Sequence, residues 1–176
     1  VSSAAPTTRL VEWPRAGLFE PVEGGAWRAF NAVLTGQLAL GADANIWFGC
    51  VLRGDDAPIH VGARTNIQDL SMVHADPGVP NAIGEDVTIG HRCVLHGAQV
   101  GSRSLIGMGA VLLSGSRIGE EAIVAAGSVV KQGFEVPPRT LVAGVPARIV
   151  RPLRPEEIAG LLASAAGYVQ KLRQYL

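Results

Sequence analysis

No charge of either sign predominates in this sequence. Fifteen basic residues balance fifteen acidic ones over 176 positions, leaving no net field to gather nucleic acid, an anionic membrane or a highly charged substrate. A small neutral substrate fits that balance better. Cysteine is scarce: Cys50 and Cys93 are the two present, too few for a disulfide framework and too far apart for a CxxC redox or zinc pair. They are expected to be small buried hydrophobes. Uncharged stretches are broken by Gly, Ser or Pro before they reach about 20 apolar residues, so no helix is expected to span a bilayer. The opening VSSAAPTTRL lacks the basic-then-apolar order of a secretory signal, and the expected compartment is a reducing cytoplasm. Nor does any shift in composition divide the chain, which is long enough for one domain with its own core.

What the sequence does have is a beat of six. Aliphatic residues recur at Leu34, Leu40, Ile46 and Leu52, then at Val61, Ile67 and Val73, then at Ile83, Ile89 and Leu95. After a five-residue step they continue at Val100, Ile106, Leu112, Ile118, Val124 and Val130. An amphipathic helix would space them by three and four, and a sandwich strand would alternate by two. Six residues suffice for one short strand and a corner, so three hexads return the chain to its starting edge and stack a new coil on the old. The expected fold is therefore mainly β, a triangular parallel β-helix. Gly41, Gly62, Gly84, Gly90, Gly101, Gly107 and Gly119 follow the aliphatic residues, at corners where a Cβ would crowd a neighbour or φ is unusual.

Residues 1–19 are expected to form an N-terminal segment, 20–148 the β-helix, and 149–176 a linker and C-terminal helix of the same domain. The proline-rich VPPRTLVAGVPARIVRPLRP reads as an extended exit from the coils. From Pro155 onward, Ile158, Leu161, Leu162, Ala165, Tyr168, Val169 and Leu172 share one helical face, with acids in the first turn and bases in the last. That helix is expected to lie along the β-helix wall.

The four histidines are His60, His74, His91 and His96. His74 follows the inward Val73 and His96 follows the inward Leu95. With PGVPN treated as a loop inserted at a corner, three hexad steps separate them. They then stand one coil apart on the same face, at roughly the 4.8 Å strand spacing, where two imidazoles can converge on one ion. His91 sits two positions after the inward Ile89, on a different side of the triangle. It joins the pair only if identical chains pack around a threefold axis. Three imidazoles suit a catalytic zinc that keeps a fourth position for water, and they also suit iron or cobalt. A single histidine on such a face is more often an ordinary polar residue; the in-register pair is what favours a site. His60 is read as a surface or interface residue.

The run Arg53-Gly54-Asp55-Asp56-Ala57-Pro58-Ile59, followed by Val61-Gly62, Thr65-Asn66-Ile67-Gln68-Asp69 and His74, resembles the γ-class carbonic anhydrase family. So does GHRCVLHGAQVGSRSLIGMGAVLLSG, with its GH-x4-H spacing, and the resemblance extends over about residues 20–176. It implies a left-handed β-helix, a homotrimer, and a metal site at each subunit interface, with His74 and His96 from one subunit and His91 from the next. Zn2+ is the implied ion, with Fe2+ or Co2+ as alternatives. Gln68 looks like the family residue that holds the metal-bound hydroxide, Asp56 like the acid that supports it, and Tyr168 like a tyrosine brought to the site. Arg53, Asp55 and Asp69 look like the charges that lock adjacent subunits. On residue type alone, Arg53 and Asp55 also fit a surface pair of little worth, Gln68 and Asp69 fit corner-capping polars, and Tyr168 fits a tyrosine packed against the coils.

The implied reaction is reversible hydration of carbon dioxide to bicarbonate, since a bound ion lowers the pKa of its water to about 7. Turnover also needs a titratable relay to solvent. Some family members carry an acidic loop for this after the first ligand histidine. Here that stretch is Ala75-Asp76-Pro77-Gly78-Val79-Pro80, so metal binding is better supported than fast turnover. Two other functions share the fold: a hexapeptide-repeat acyltransferase using one histidine as base, and a non-catalytic metal-binding assembly protein.

Overall fold

A computed structural model describes residues 14–176, so residues 1–13 of the expected N-terminal segment lie outside the described residues. The beat of six closes into a left-handed parallel β-helix with three faces. The first face stacks Ala26–Ala29, Asn45–Ile46, Asn66–Ile67, Thr88–Ile89, Leu105–Ile106, Ile123–Val124 and Thr140–Gly144. Val33–Leu40 and Val51–Val61 each run through a corner and so serve both remaining faces. The second face adds Met72–His74, Val94–His96, Val111–Leu112 and Val129–Val130; the third adds Asn81–Ile83, Gln99–Val100, Arg117–Ile118 and Glu135–Val136.

Each face points one ladder of aliphatic residues inward. Ile46, Ile67, Ile89, Ile106, Val124 and Val142 stand in register on the first face. Leu52, Val73, Leu95, Leu112 and Val130 do so on the second, and Val61, Ile83, Val100, Ile118 and Val136 on the third. All are almost completely buried, and each such side chain contributes about 1.5–3 kcal/mol relative to exposure. The beat thus runs two steps beyond Val130. Leu34 and Leu40, in the first coil, are only partly covered.

Of the two reasons offered for the corner glycines, crowding is the one that applies. A Cβ on Gly107 would lie 2.4 Å from the Ala126 amide nitrogen, and one on Gly62 would lie 2.5 Å from the Gly84 carbonyl. The left-handed turn falls two residues later, and among the described residues eight that are not glycine adopt it, with φ between 54° and 63°. Six of them line the corner between the third and first faces and alternate in charge: Asp43, Arg64, Asp86, Arg103, Glu121 and Arg139. Arg64 pairs with Asp86 at 2.7 Å, Arg103 with Glu121 at 3.0 Å, and Arg139 with Glu121 at 2.6 Å. Ion pairs between coils therefore accompany a backbone conformation that costs L-residues energy.

Cys50 and Cys93 stand two residues before the inward Leu52 and Leu95, a fully buried position that Ser71, Ala110 and Ser128 fill in other coils. Burial pushes the thiols up, to about 12 for Cys50 and about 11 for Cys93. Both are the small buried residues expected.

At the C-terminal end, the proline-rich segment is a hairpin rather than a bare exit: Thr140–Gly144 adds a strand to the first face and Ala147–Pro152 pairs with it antiparallel. Helix α1 (Pro155–Arg173) follows, with Pro155 in its first turn, and Glu157 accepts the Arg154 N–H at 2.8 Å while pairing with Arg151. It covers the outside of the first face through buried Leu161, Ala165, Val169 and Leu172, with Ile158 and Tyr168 half-buried. Leu162, expected on this face, is 50% exposed, because the covered stripe runs through Ile158, Leu161, Ala165, Tyr168 and Leu172 at steps of three and four and Leu162 falls beside it. Among the described residues no helix is long and apolar enough to cross a membrane.

Candidate metal centre

Every break in the beat of six falls at one corner, between the second and third faces. Nine residues separate Leu52 from Val61, ten separate Val73 from Ile83, and five separate Leu95 from Val100. The extra residues of the two longer steps carry Asp55, Asp56 and Asp76 to the edge where His74 and His96 end their strands. Asn81, fully buried, fixes the return of the second insertion: its amide donates to the His74 carbonyl at 2.8 Å and its Oδ1 accepts the Ala98 N–H at 2.9 Å.

His74 and His96 are paired in register. His74 Nδ1 lies 3.3 Å from His96 Nε2. The far nitrogens are both held. His74 Nε2 is 3.0 Å from Asp56 Oδ2 and 3.3 Å from Asp55 Oδ1. His96 Nδ1 is 3.0 Å from Ser114 Oγ, and that hydroxyl donates to Asp76 Oδ2 at 2.8 Å. These bonds assign the tautomers. A carboxylate only accepts, so His74 carries its proton on Nε2. The single Ser114 proton goes to Asp76, so His96 carries its own on Nδ1. With both rings neutral, the state that metal ligation requires, the near nitrogens face each other with their lone pairs, an arrangement that a cation between them would relieve.

The spacing fits such an ion. Two imidazole nitrogens, each about 2.0–2.1 Å from a tetrahedral zinc, would lie about 3.3–3.4 Å apart. Metal-ligating histidines ordinarily give the far N–H to a carboxylate, a backbone carbonyl or a water; His74 meets its carboxylate directly and His96 reaches one through the Ser114 hydroxyl. Asp55, Asp56 and His74 also form a group whose donor atoms lie within 4.8 Å of one another, but the acids are spent on His74 and, for Asp55, on Arg53. We therefore read them as supports for the imidazole rather than as ligands.

The other expected residues gather elsewhere on the chain, at the end of the first face. His91 Nδ1 lies 2.8 Å from Asp69 Oδ2, and Asp69 Oδ1 accepts the Phe48 N–H at 3.2 Å. The same rule puts the His91 proton on Nδ1 and leaves the Nε2 lone pair for a metal ion. Gln68, 5% exposed, gives its Nε2 to Asn66 Oδ1 at 3.0 Å, and Asn66 in turn bonds Thr88 Oγ1, which reaches Ser164 of α1. A mostly apolar cleft of about 480 Å3 opens here, with Gln68, His91, Met108 and Tyr168 on its walls. Tyr168 stands edge-on to Trp47 at 5.3 Å, and burial, followed by the nearby Asp69 charge, raises its phenol above the ordinary value.

Within one chain, then, His74, His96, Asp55, Asp56 and Arg53 form one group, and His91, Gln68, Asp69 and Tyr168 another. Arg53 and Asp55 pair with each other on a single strand, both nearly half exposed. His60 points outward on the third face beside Ala39 and Ala82. Ser114 and Asn81 were not legible as site residues; the departures from the beat of six were the available signal, because they mark the corner where both act.

The family model described as bacterial transferase hexapeptide (six repeats) matches residues 97–132, which with the coil geometry defines a hexapeptide-repeat β-helix protein. Along most of its length the chain is similar to a carbonic anhydrase of Geobacillus kaustophilus, 42% identical over 163 residues that cover 93% of this chain and 90% of that protein. It is also 43% identical over 153 residues to gamma carbonic anhydrase 1, mitochondrial, of Arabidopsis thaliana, covering 84% of this chain and 56% of that one. A crystal structure of a hexapeptide transferase family protein from Anaplasma phagocytophilum superposes with a TM-score of 0.85 at 40% identity, over 89% of this chain and 92% of that one. The chain belongs to the γ-class carbonic-anhydrase-like family of hexapeptide-repeat proteins.

Proposed function

We propose that this protein hydrates carbon dioxide reversibly at a metal site shared between subunits of a homotrimer. His74 and His96 of one subunit and His91 of the next would hold the ion, Zn2+ by the chemistry of the donors, with Fe2+ or Co2+ as alternatives. The observation that carries this reading is the pair of imidazole nitrogens 3.3 Å apart, each ring fixed by a partner on its far nitrogen. When bound, the ion supplies a nucleophilic water near neutral pH.

The chain's own residues divide the remaining work. Asp56 and Ser114 orient two of the imidazoles, and Asp69 orients the third. Gln68 has committed its Nε2 to Asn66, leaving its Oε1 to accept a hydrogen bond from a water and turn it toward substrate. The raised Tyr168 phenol stays protonated at neutral pH and can donate to a substrate oxygen. An apolar cleft beside these groups suits a small neutral molecule.

Self-association is supported by the outer surface of the second face, where Val33, Val51, Met72, Val94, Val111 and Val129 form an in-register apolar ladder. A contiguous, partly exposed apolar strip of this kind suits association with another copy. It runs beside the His74–His96 pair, and Arg53, Asp55 and Asp69 would supply charges at its rim. The likeness to a hexapeptide transferase favours a second reading, acyl transfer, but one catalytic base does not account for two opposed histidines.

Metal content and hydration, measured on the same anaerobically purified sample and on His91→Ala, test the proposal. About one ion per site and hydration lost in the variant would support it. Absence of metal under every loading condition would return acyl transfer to first place.

A further inference from the structure

His74 is held directly by a carboxylate, whereas His96 meets a hydroxyl. A serine hydroxyl can donate or accept, so by itself Ser114 would not decide which His96 nitrogen is protonated. If Ser114 donated to Nδ1, the ring would carry its proton on Nε2 and offer it to His74 Nδ1. The two rings would then satisfy each other and close the site to a cation. Asp76 prevents this by taking the Ser114 proton at 2.8 Å, which obliges the hydroxyl to accept from His96 Nδ1. Asp76 cannot do so alone, because its Oδ2 is 3.8 Å from His96 Nδ1, beyond hydrogen-bond range. The hydroxyl is the necessary link.

We propose that Ser114 and Asp76 form a positioning pair that selects the Nδ1–H tautomer of His96 and thereby sets the affinity of the site for its ion. The inference rests on the metal reading above. It joins residues 38 positions apart: Asp76 comes from the insertion after His74, and Ser114 from the corner one coil beyond His96.

The test uses the full chain in Ser114→Ala, Asp76→Ala, Ser114→Thr and His96→Ala forms. Zn2+ affinity is measured by chelator competition, and the His96 tautomer by 15N chemical shifts of the metal-free protein. Ser114→Ala and Asp76→Ala are expected to weaken Zn2+ binding about 10–100-fold and to move His96 toward the Nε2–H form. Ser114→Thr, which keeps the hydroxyl, should restore both. Thermal unfolding of the metal-free variants should match the parent, which separates positioning from folding. The proposal is overturned if Ser114→Ala retains Nδ1–H and binds Zn2+ within about twofold of the parent while His96→Ala loses it. If His96→Ala itself keeps full Zn2+ affinity, the metal reading fails and this inference falls with it.

Discussion

The second and third faces of the β-helix are alike inside and opposite outside. Inward, both carry unbroken aliphatic ladders buried to the same degree. Outward, the second presents Val33, Val51, Met72, Val94, Val111 and Val129, while the third presents Ala39, His60, Ala82, Gln99, Arg117 and Glu135. The fold requires only the inward set, so the outward set is where this sequence is free to encode use. A polar ladder suits water and an apolar one suits a second copy. The two histidines close the strands of the apolar face, and the first face has already been given to α1.

The strongest way to break this contrast is a charge at matched positions. Val94→Asp should dissociate the proposed trimer and abolish the proposed metal binding, whereas Gln99→Asp should change neither; light scattering with metal analysis reads both, and equal behaviour of the two variants would refute an association role for the second face. Histidine substitution should act without that collapse. His74→Ala is expected to abolish metal binding and leave the coils folded, as circular dichroism would report, because the ladder next to it carries the core.

Inside, the faces should respond alike. Leu95→Ala on the second and Ile118→Ala on the third should each cost about 2–5 kcal/mol in denaturant unfolding. The corner beside the third face should contribute to the response to acid. Glu121 is held below its ordinary value of 4.5 by Arg139 and then Arg103. Its contribution is present above that value and lost as pH falls through the lowered one. Glu121→Gln should therefore flatten part of the acid-side decline in melting temperature. A smaller effect is expected at the rim of the second face, where Arg53→Ala should loosen the proposed trimer at high dilution and leave subunit unfolding unchanged.

Much of this architecture is legible from spacing. An aliphatic residue every sixth position places Ile67, Val73 and Ile83 on three successive faces, and the register of Val73 with Leu95 is enough to stack His74 on His96. The outer ladder was equally readable, since Val51, Met72, Val94, Val111 and Val129 each precede an inward residue, but inward periodicity draws attention away from it. Leu162 was misplaced for a physical reason of another kind: a helix with seven candidate apolar positions cannot show by pattern how wide a strip its partner offers. The left-handed corners were not legible at Arg64, Arg103 or Arg139, where arginine takes a conformation more readily accepted by glycine and is accompanied by ion pairs to neighbouring coils.

The sequence by itself determined the period, the inward ladders, the covering helix and the stacking of the two histidines, because a strict repeat fixes the direction in which each residue points. Only the tertiary structure decided what happens where the repeat fails. At the corner with steps of nine, ten and five residues, direction no longer follows from position. Asp56, Asp76, Asn81 and Ser114 find their partners there through space, by filling donor and acceptor positions that neighbouring coils leave open.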